Sequence, residues 1–239
     1  MSAVVLITGA ASGIGLAVAR RVVARGDRAI LWDVSQSGLD AATAELGAHA
    51  TSRVVDVADA EAVTRAGEAI ENVGVTHLVN NAGILGQKTN WDALDVPAVA
   101  RVMAVNVVGF MQVASVFLKA RVAHPSAGIV NMASIAGENG GAPGFAAYGA
   151  SKGAIMALTR GMARDLAPEV RVNALAPGII DTPIQDAVMT APDSREKAAE
   201  GIPMARLGTA DEVAQAAEWL LFDAPYTTGE IIRIAGGRR

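Results

Sequence analysis

The chain of 239 residues carries a net charge of −4, is 51% hydrophobic but only 4% aromatic, and contains no cysteine. That length holds one substantial core, and a surplus of alanine, valine and glycine suits close packing of helices on a sheet. The charge argues against a nucleic-acid surface, and the lack of cysteine excludes disulfides, thiolate metal sites and a catalytic thiol.

Met1-Ser2-Ala3 enters an apolar run with no basic n-region and no cleavage-site pattern, so the cytoplasm is the expected location. The first predicted strand, 4–8, runs into Gly9, Ser12, Gly13, Ile14 and Gly15, and a helix is predicted over 13–25. Glycines let the chain turn tightly and approach a pyrophosphate, and a helix N-terminus adds free N–H groups and a favourable dipole. Glycine turns before helices also occur for packing alone. The spacing is not G-x-G-x-x-G, and no Gly-Lys-Ser/Thr follows, which disfavours a P-loop. The second strand, 29–33, ends at Asp33, which either accepts bonds from both adenosine ribose hydroxyls or caps the helix over 36–46. A carboxylate there repels a 2′-phosphate: unit charges about 4 Å apart at an effective dielectric near 20 interact by roughly 4 kcal/mol. No Arg or Lys stands at 10–15 or 34–37, so NAD(H) is expected over NADP(H).

The third strand, 53–56, closes with Asp56 and Val57, which either meet an adenine edge or begin a turn before a helix over 60–72. The fourth, 77–80, closes with Asn80, Asn81, Ala82 and Gly83. Small residues there let the backbone lie against a flat cofactor, and Asn side chains also stabilise turns. The helix predicted over 97–122 is uncharged between Arg101 and Lys119 but interrupted by Asn106, Gln112 and Ser115. It is marginal for a membrane span and reads as a buried helix, with one face available to another subunit. The strand 129–133 delivers Ser134, and the helix 147–166 carries Tyr148 and Lys152, four apart and therefore on one face. A phenol is a base at neutral pH only if its pKa falls from near 10 to about 7, which takes roughly 4 kcal/mol. An ammonium about 5 Å away at an effective dielectric near 20 supplies roughly 3 kcal/mol. Lys152 is thus expected to lower the Tyr148 pKa, although Tyr-x-x-x-Lys alone also fits an ordinary helix with a solvated lysine. The strand 171–176 leads to Pro177, Gly178, Ile180 and Thr182. The proline-bearing segment 178–204 is either a lid over the site or a long connection with a short helix. Thr209 and Glu212 form a capping-box pattern for the helix 210–222, and the last strand is 231–234.

Seven short apolar runs alternating with helices predict an α/β fold, a single doubly wound domain over 1–239 with a seven-stranded parallel sheet of Rossmann type.

Taken together, the turn 8–15, Asp33, Asp56, Asn80 to Gly83, Asn106, Ser134, Tyr148, Lys152, and Pro177-Gly178 with Thr182 closely resemble the short-chain dehydrogenase/reductase family. They stand in family order across nearly the whole chain. The resemblance implies that Tyr148 exchanges the proton with a substrate oxygen, which Ser134 positions. Lys152 would bind the nicotinamide ribose, and Asn106 would hold a water linking Lys152 to solvent. Pro177, Gly178, Ile180 and Thr182 would hold the carboxamide end of NAD. The implied partner is a small-molecule alcohol or ketone, with no metal, nucleic acid or membrane, in a homo-oligomer (tetramer or dimer). Two departures stand out: Ala235 precedes Gly236-Gly237 where the family often has aspartate, and the loop 138–144 carries about one extra residue. An NADPH-dependent 3-oxoacyl thioester reductase is the nearest alternative, opposed by Asp33. A non-catalytic nucleotide-binding regulator is another, opposed by the intact Asn106, Ser134, Tyr148 and Lys152. The expected substrate pocket comprises Leu85, Gln87, Glu138, Asn139, Phe145 and 184–189, and its polar members favour a polyol, sugar or hydroxy acid over a steroid.

Overall fold

The computed structural model describes residues 2–88 and 90–239; Met1, where the N-terminal reading began, lies outside them. Strand β1 (Val4–Thr8) leads to α1 (Gly13–Ala24), β2 (Arg28–Asp33), α2 (Gln36–Leu46), β3 (Ala50–Val54) and α3 (Ala60–Glu68). Then come β4 (His77–Asn80), α4 (Val96–Met103), a π-helical turn (Ala104–Val108) and α5 (Gly109–Ala120). Strand β5 (Gly128–Met132) is followed by the short α6 (Ala136–Asn139), α7 (Ala146–Leu166) and β6 (Arg171–Pro177). The chain ends through β7 (Ile180–Asp181), a 3-10 turn (Pro183–Ala187), α8 (Ser194–Glu200), β8 (Gly208–Thr209), α9 (Ala210–Phe222) and β9 (Ile231–Ile234).

Seven strands form one parallel sheet in the order β3-β2-β1-β4-β5-β6-β9. Side chains of β1 alternate between two cores. Val5 and Ile7 pack with α1 and α9 residues such as Val18 and Val213. Val4 and Leu6 pack with Val63 of α3 and Phe117 of α5. Burial on both faces explains why the strands read as continuous apolar runs. Each buried Val, Leu or Ile contributes about 1.5–3 kcal/mol relative to exposure. Arg171, at the start of β6, donates to the carbonyls of Leu220, Leu221 and Ala224, closing the C-terminal turn of α9.

The order reverses between β1 and β4, and ligands of open α/β sheets bind at such a switch point, beyond the strand ends. The turns after β1, β4, β5 and β6 therefore converge on one edge.

Three expectations shift. The third strand is Ala50–Val54 rather than 53–56. It is the sheet edge, paired only with β2, so its exposed Thr51-Ser52-Arg53 carries no apolar signature. Helix α3 stops at Glu68 rather than 72, tightening into turns such as Ile70 N–H to Gly67 C=O at 3.1 Å. The helix expected over 97–122 runs Val96–Ala120 with the π turn inside it; it is long and apolar enough to cross a membrane, yet it buries Phe110, Val113 and Phe117 against the sheet.

Candidate active site

The glycine turn is built by close backbone approach. Gly9 has φ of +62°, which favours glycine, and a Cβ on Gly15 would lie 2.1 Å from the Gly9 carbonyl oxygen. Asn81 pins this turn, donating from Nδ2 to the carbonyls of Thr8 and Gly9 at 3.0 Å each. Thr8 Oγ1 accepts from the N–H groups of Asn81 and Ala82 at 3.0 and 3.1 Å. Helix α1 has no side-chain cap and no acidic residue in its first turn, so its N-terminus remains receptive to an anion. Asp33 faces the same space; its carboxylate accepts from Ala11 N–H and Ser35 N–H, both at 3.0 Å, and each oxygen keeps capacity for a further donor.

A cleft of about 410 Å³ gathers Gly9, Ser12, Gly13, Ile14, Asp33, Ala82, Gly83, Ser134, Tyr148, Lys152, Pro177, Gly178, Ile180 and Thr182, with Asn81. A second cavity of about 440 Å³ lies beyond it and shares Ser134, Tyr148, Gly178, Ile184 and Gln185. The hydroxyls of Ser134 and Tyr148 thus belong to residues at the junction of two chambers.

Lys152 is 3% exposed. Its Nζ donates to the Met132 carbonyl at 2.7 Å and lies 5.7 Å from the centroid of the Tyr148 ring. Burial lowers the ammonium from 10.5 to about 8. Ser134 Oγ accepts from Ala136 N–H at 3.1 Å and donates to Pro177 C=O at 3.5 Å. The Tyr148 phenol is raised above its ordinary value by burial, with the neighbouring Ser134 hydroxyl opposing the rise. This corrects the expectation that Lys152 depresses it: in this geometry desolvation of the phenolate prevails, and the ammonium is directed to a carbonyl.

Five expected residues stand outside the cleft lining. Asn80 is buried behind the sheet end, donating to Phe110 C=O and Asn131 Oδ1, both at 3.2 Å, and Asn81 is the residue that reaches the turn. The two asparagines look alike in sequence until strand direction is known, and the structure gives the place in the cleft to Asn81. Asp56 accepts from Ala58 N–H at 3.0 Å and pairs with Arg101 at 2.7 Å, a turn-building role. Val57 packs against Gly109, where a Cβ would approach its side chain to 2.8 Å. Gly15 acts through its contact with Gly9. Asn106, turned inward by the π turn, donates to Ile84 C=O and Ser151 Oγ and accepts from Ile84 N–H. Both its N–H donors go to protein, tying Ile84 to Ser151 of α7. Of the expected substrate residues, Leu85, Asn139, Phe145, Ile184, Gln185, Val188 and Met189 line the second cavity. Gln87 lines a separate small recess, and Glu138 pairs with Arg233 at 2.6 Å.

A glycine-turned cleft at a sheet switch point, opening beside Ser134, Tyr148 and Lys152, is the arrangement of an oxidoreductase of the doubly wound class. The chain belongs to the short-chain dehydrogenase/reductase family, as comparison with known proteins shows. The family described as enoyl-(acyl carrier protein) reductase matches residues 9–239. A galactitol 2-dehydrogenase (L-tagatose-forming) of Cereibacter sphaeroides is 43% identical, covering 97% of this chain and 92% of its own. A 2-(R)-hydroxypropyl-CoM dehydrogenase of Xanthobacter autotrophicus is 38% identical, covering 99% and 98%. An NAD+-bound xylitol dehydrogenase structure superposes with a TM-score of 0.91 at 35% identity, covering 98% of each chain. The protein is accordingly an oxidoreductase that interconverts alcohols and ketones.

Proposed function

We propose that this enzyme is NAD-dependent, that its substrate is a small secondary alcohol or the matching ketone, and that Tyr148 is its general acid and base. The observation that carries this reading is the placement of Ser134 and Tyr148 at the meeting of two chambers. One chamber fits the dinucleotide: its glycine turn leaves no room for side chains, α1 presents uncapped N–H groups, and Asp33 offers acceptors where a ribose would lie. The other holds the substrate carbon. When bound, oxidised nicotinamide accepts a hydride and adds a positive charge beside the phenol.

Ser134 donates to the substrate oxygen and fixes its distance from Tyr148. For ketone reduction the raised phenol pKa keeps the proton on Tyr148 at neutral pH, available for delivery to the forming alkoxide. For alcohol oxidation the phenolate takes the hydroxyl proton. Lys152 opposes the desolvation: its ammonium, 5.7 Å from the ring centroid, favours the phenolate by Coulomb attraction without outweighing the burial of the phenol. Asn106 holds Ile84 against α7 and so keeps the pocket beside Lys152 in shape. Asp33 repels a 2′-phosphate and supports NAD over NADP, in keeping with the NAD+-bound relative. The segment 178–204, which lines both chambers, is read as a lid. The enzyme is read as a homo-oligomer, with exposed Val108 and Met111 on the long helix as candidate contacts.

The test is Tyr148→Phe. Turnover of secondary alcohols with NAD should fall by at least about a thousandfold, while NADH binding by fluorescence stays nearly intact. Turnover near wild type would remove Tyr148 as the proton carrier, and tighter NADPH than NADH binding by the wild type would overturn the cofactor assignment.

A further inference from the structure

The substrate chamber is lined chiefly by apolar groups, among them Ile135, Phe145, Ile179 and Met189. Of its polar side chains beyond Ser134 and Tyr148, Asn139 and Ser194 are committed elsewhere and Gln185 offers one neutral amide. Asn139 Oδ1 accepts from Gly141 N–H, its Nδ2 donates to Arg239 C=O, and Ser194 Oγ donates to Ala191 C=O. One charged residue lines it among the described residues, Arg238, which also lines a neighbouring cavity together with Arg206 and Arg233.

The tail holds Arg238 in place through several contacts. A turn closes with Arg238 N–H donating to Ala235 C=O at 3.0 Å. Gly236 and Gly237, at φ of +59° and +87°, permit that turn, and a Cβ on either would meet Ile202 or Pro203 at 2.8–3.0 Å. Met204 N–H binds Gly236 C=O at 3.1 Å. The Arg239 carbonyl is held by Asn139, and Arg233 of β9 pairs with Glu138. The tail is thereby tied to α6, which follows Ser134. The guanidinium itself pairs with no carboxylate within 4.0 Å among the described residues, whereas Arg206 and Arg233 nearby are both paired.

Resting on the reading of this chamber as the substrate site, we propose that Arg238 selects a substrate with an apolar body and an anionic end. A carboxylate, sulfonate or phosphate would meet the guanidinium while the carbinol carbon sits at Ser134 and Tyr148. A neutral polyol fits less well, because a chamber so lined leaves most of its hydroxyls without partners, and a buried unpaired polar group is costly. An anionic end recovers a charge-assisted, bidentate pair with a free arginine.

The test compares 2-hexanol with 5-hydroxyhexanoate, and homologues one carbon longer and shorter, at low ionic strength. The expected kcat/KM ratio favours the carboxylate by roughly tenfold or more, about 1.4 kcal/mol. Arg238→Ala should collapse that ratio to about one, mainly through KM of the carboxylate, and Arg238→Lys should restore part of it. A wild-type ratio near one, or an equal loss on both substrates, would overturn the proposal. Binding is read separately from turnover. Thermal stability is measured with NAD+ plus 5-oxohexanoate or plus 2-hexanone; the carboxylate should stabilise the wild type more, and Arg238→Ala should lose the difference. Equal stabilisation of the wild type would also refute the proposal. Selective stabilisation without turnover of either alcohol would support Arg238 as an anion receptor and reject the catalytic reading instead.

Discussion

Lys152→Met tests what the fold gives up to keep a cation in its cleft. Lys152 is 3% exposed, and Nζ meets the Met132 carbonyl and the rings of Phe110 and Tyr148, with no carboxylate within 4.0 Å among the described residues. Burial carries its pKa from 10.5 to about 8. At about 1.36 kcal/mol per unit, the charged form costs the fold about 3 kcal/mol at neutral pH. Between pH 8 and 10.5 the unfolded chain binds a proton that the folded chain has released, so wild-type stability rises with pH across that window. Below pH 8 the cost is fully present. Methionine keeps the apolar stem and removes the charge, but forfeits the bond to Met132, worth about 1 kcal/mol or somewhat more. The variant should therefore be about 1–2 kcal/mol more stable than wild type at pH 7 while losing almost all turnover. Denaturant unfolding of the cofactor-free protein at pH 7 and pH 10 provides the assay. The variant's advantage should shrink or reverse by roughly 2–3 kcal/mol at the higher pH. A gap that does not move with pH, or a variant several kcal/mol less stable at pH 7, would refute the argument that Lys152 is held charged against desolvation.

Other substitutions probe other parts of the argument. Asp33→Asn keeps an acceptor beside Ala11 but removes the charge, so the ratio of NADPH to NADH dissociation constants should narrow by about tenfold, read by fluorescence titration. Gly15→Ala places a methyl 2.1 Å from the Gly9 carbonyl, and should cost about 3 kcal/mol or more and abolish NADH binding. Gly161→Ala, in α7 with open space around the added methyl, should instead gain about 0.5–1 kcal/mol, and thermal unfolding separates the two. His77 is buried between Thr76 and Ser126 and lowered by desolvation from 6.5 to about 4. Stability should fall by about 3 kcal/mol as pH drops through that window, and His77→Gln should flatten the acid-unfolding slope there.

Much of the fold was legible because its signals are local. Strands buried on both faces appear as apolar runs, and a glycine turn before a helix, a capping box at Thr209 and Glu212, and a Tyr and Lys four apart need no distant partner to be recognised. The edge strand Ala50–Val54 was misplaced because it has a single neighbour, and its exposed Thr51, Ser52 and Arg53 obey no apolar pattern. The asparagines after β4 show the same limit more sharply. Asn80 and Asn81 are chemically identical in sequence, but the strand sends the first into the core and the chain's exit sends the second over the glycine turn.

By itself the sequence determined the fold class, and it pointed to the glycine turn and to Ser134, Tyr148 and Lys152, since each is written in residue type and short spacing. Tertiary structure alone decided which groups share a chamber and what charge state the chamber favours. The Tyr148 pKa moves upward because desolvation depends on everything packed around the phenol, a quantity that no spacing records. Likewise Glu138 turns to Arg233, Gln87 sits in its own recess, and Arg238 reaches the lining of the second cavity. The Glu138 and Arg238 placements join residues far apart in the chain, and they exist only once the sheet has brought β9 beside β6.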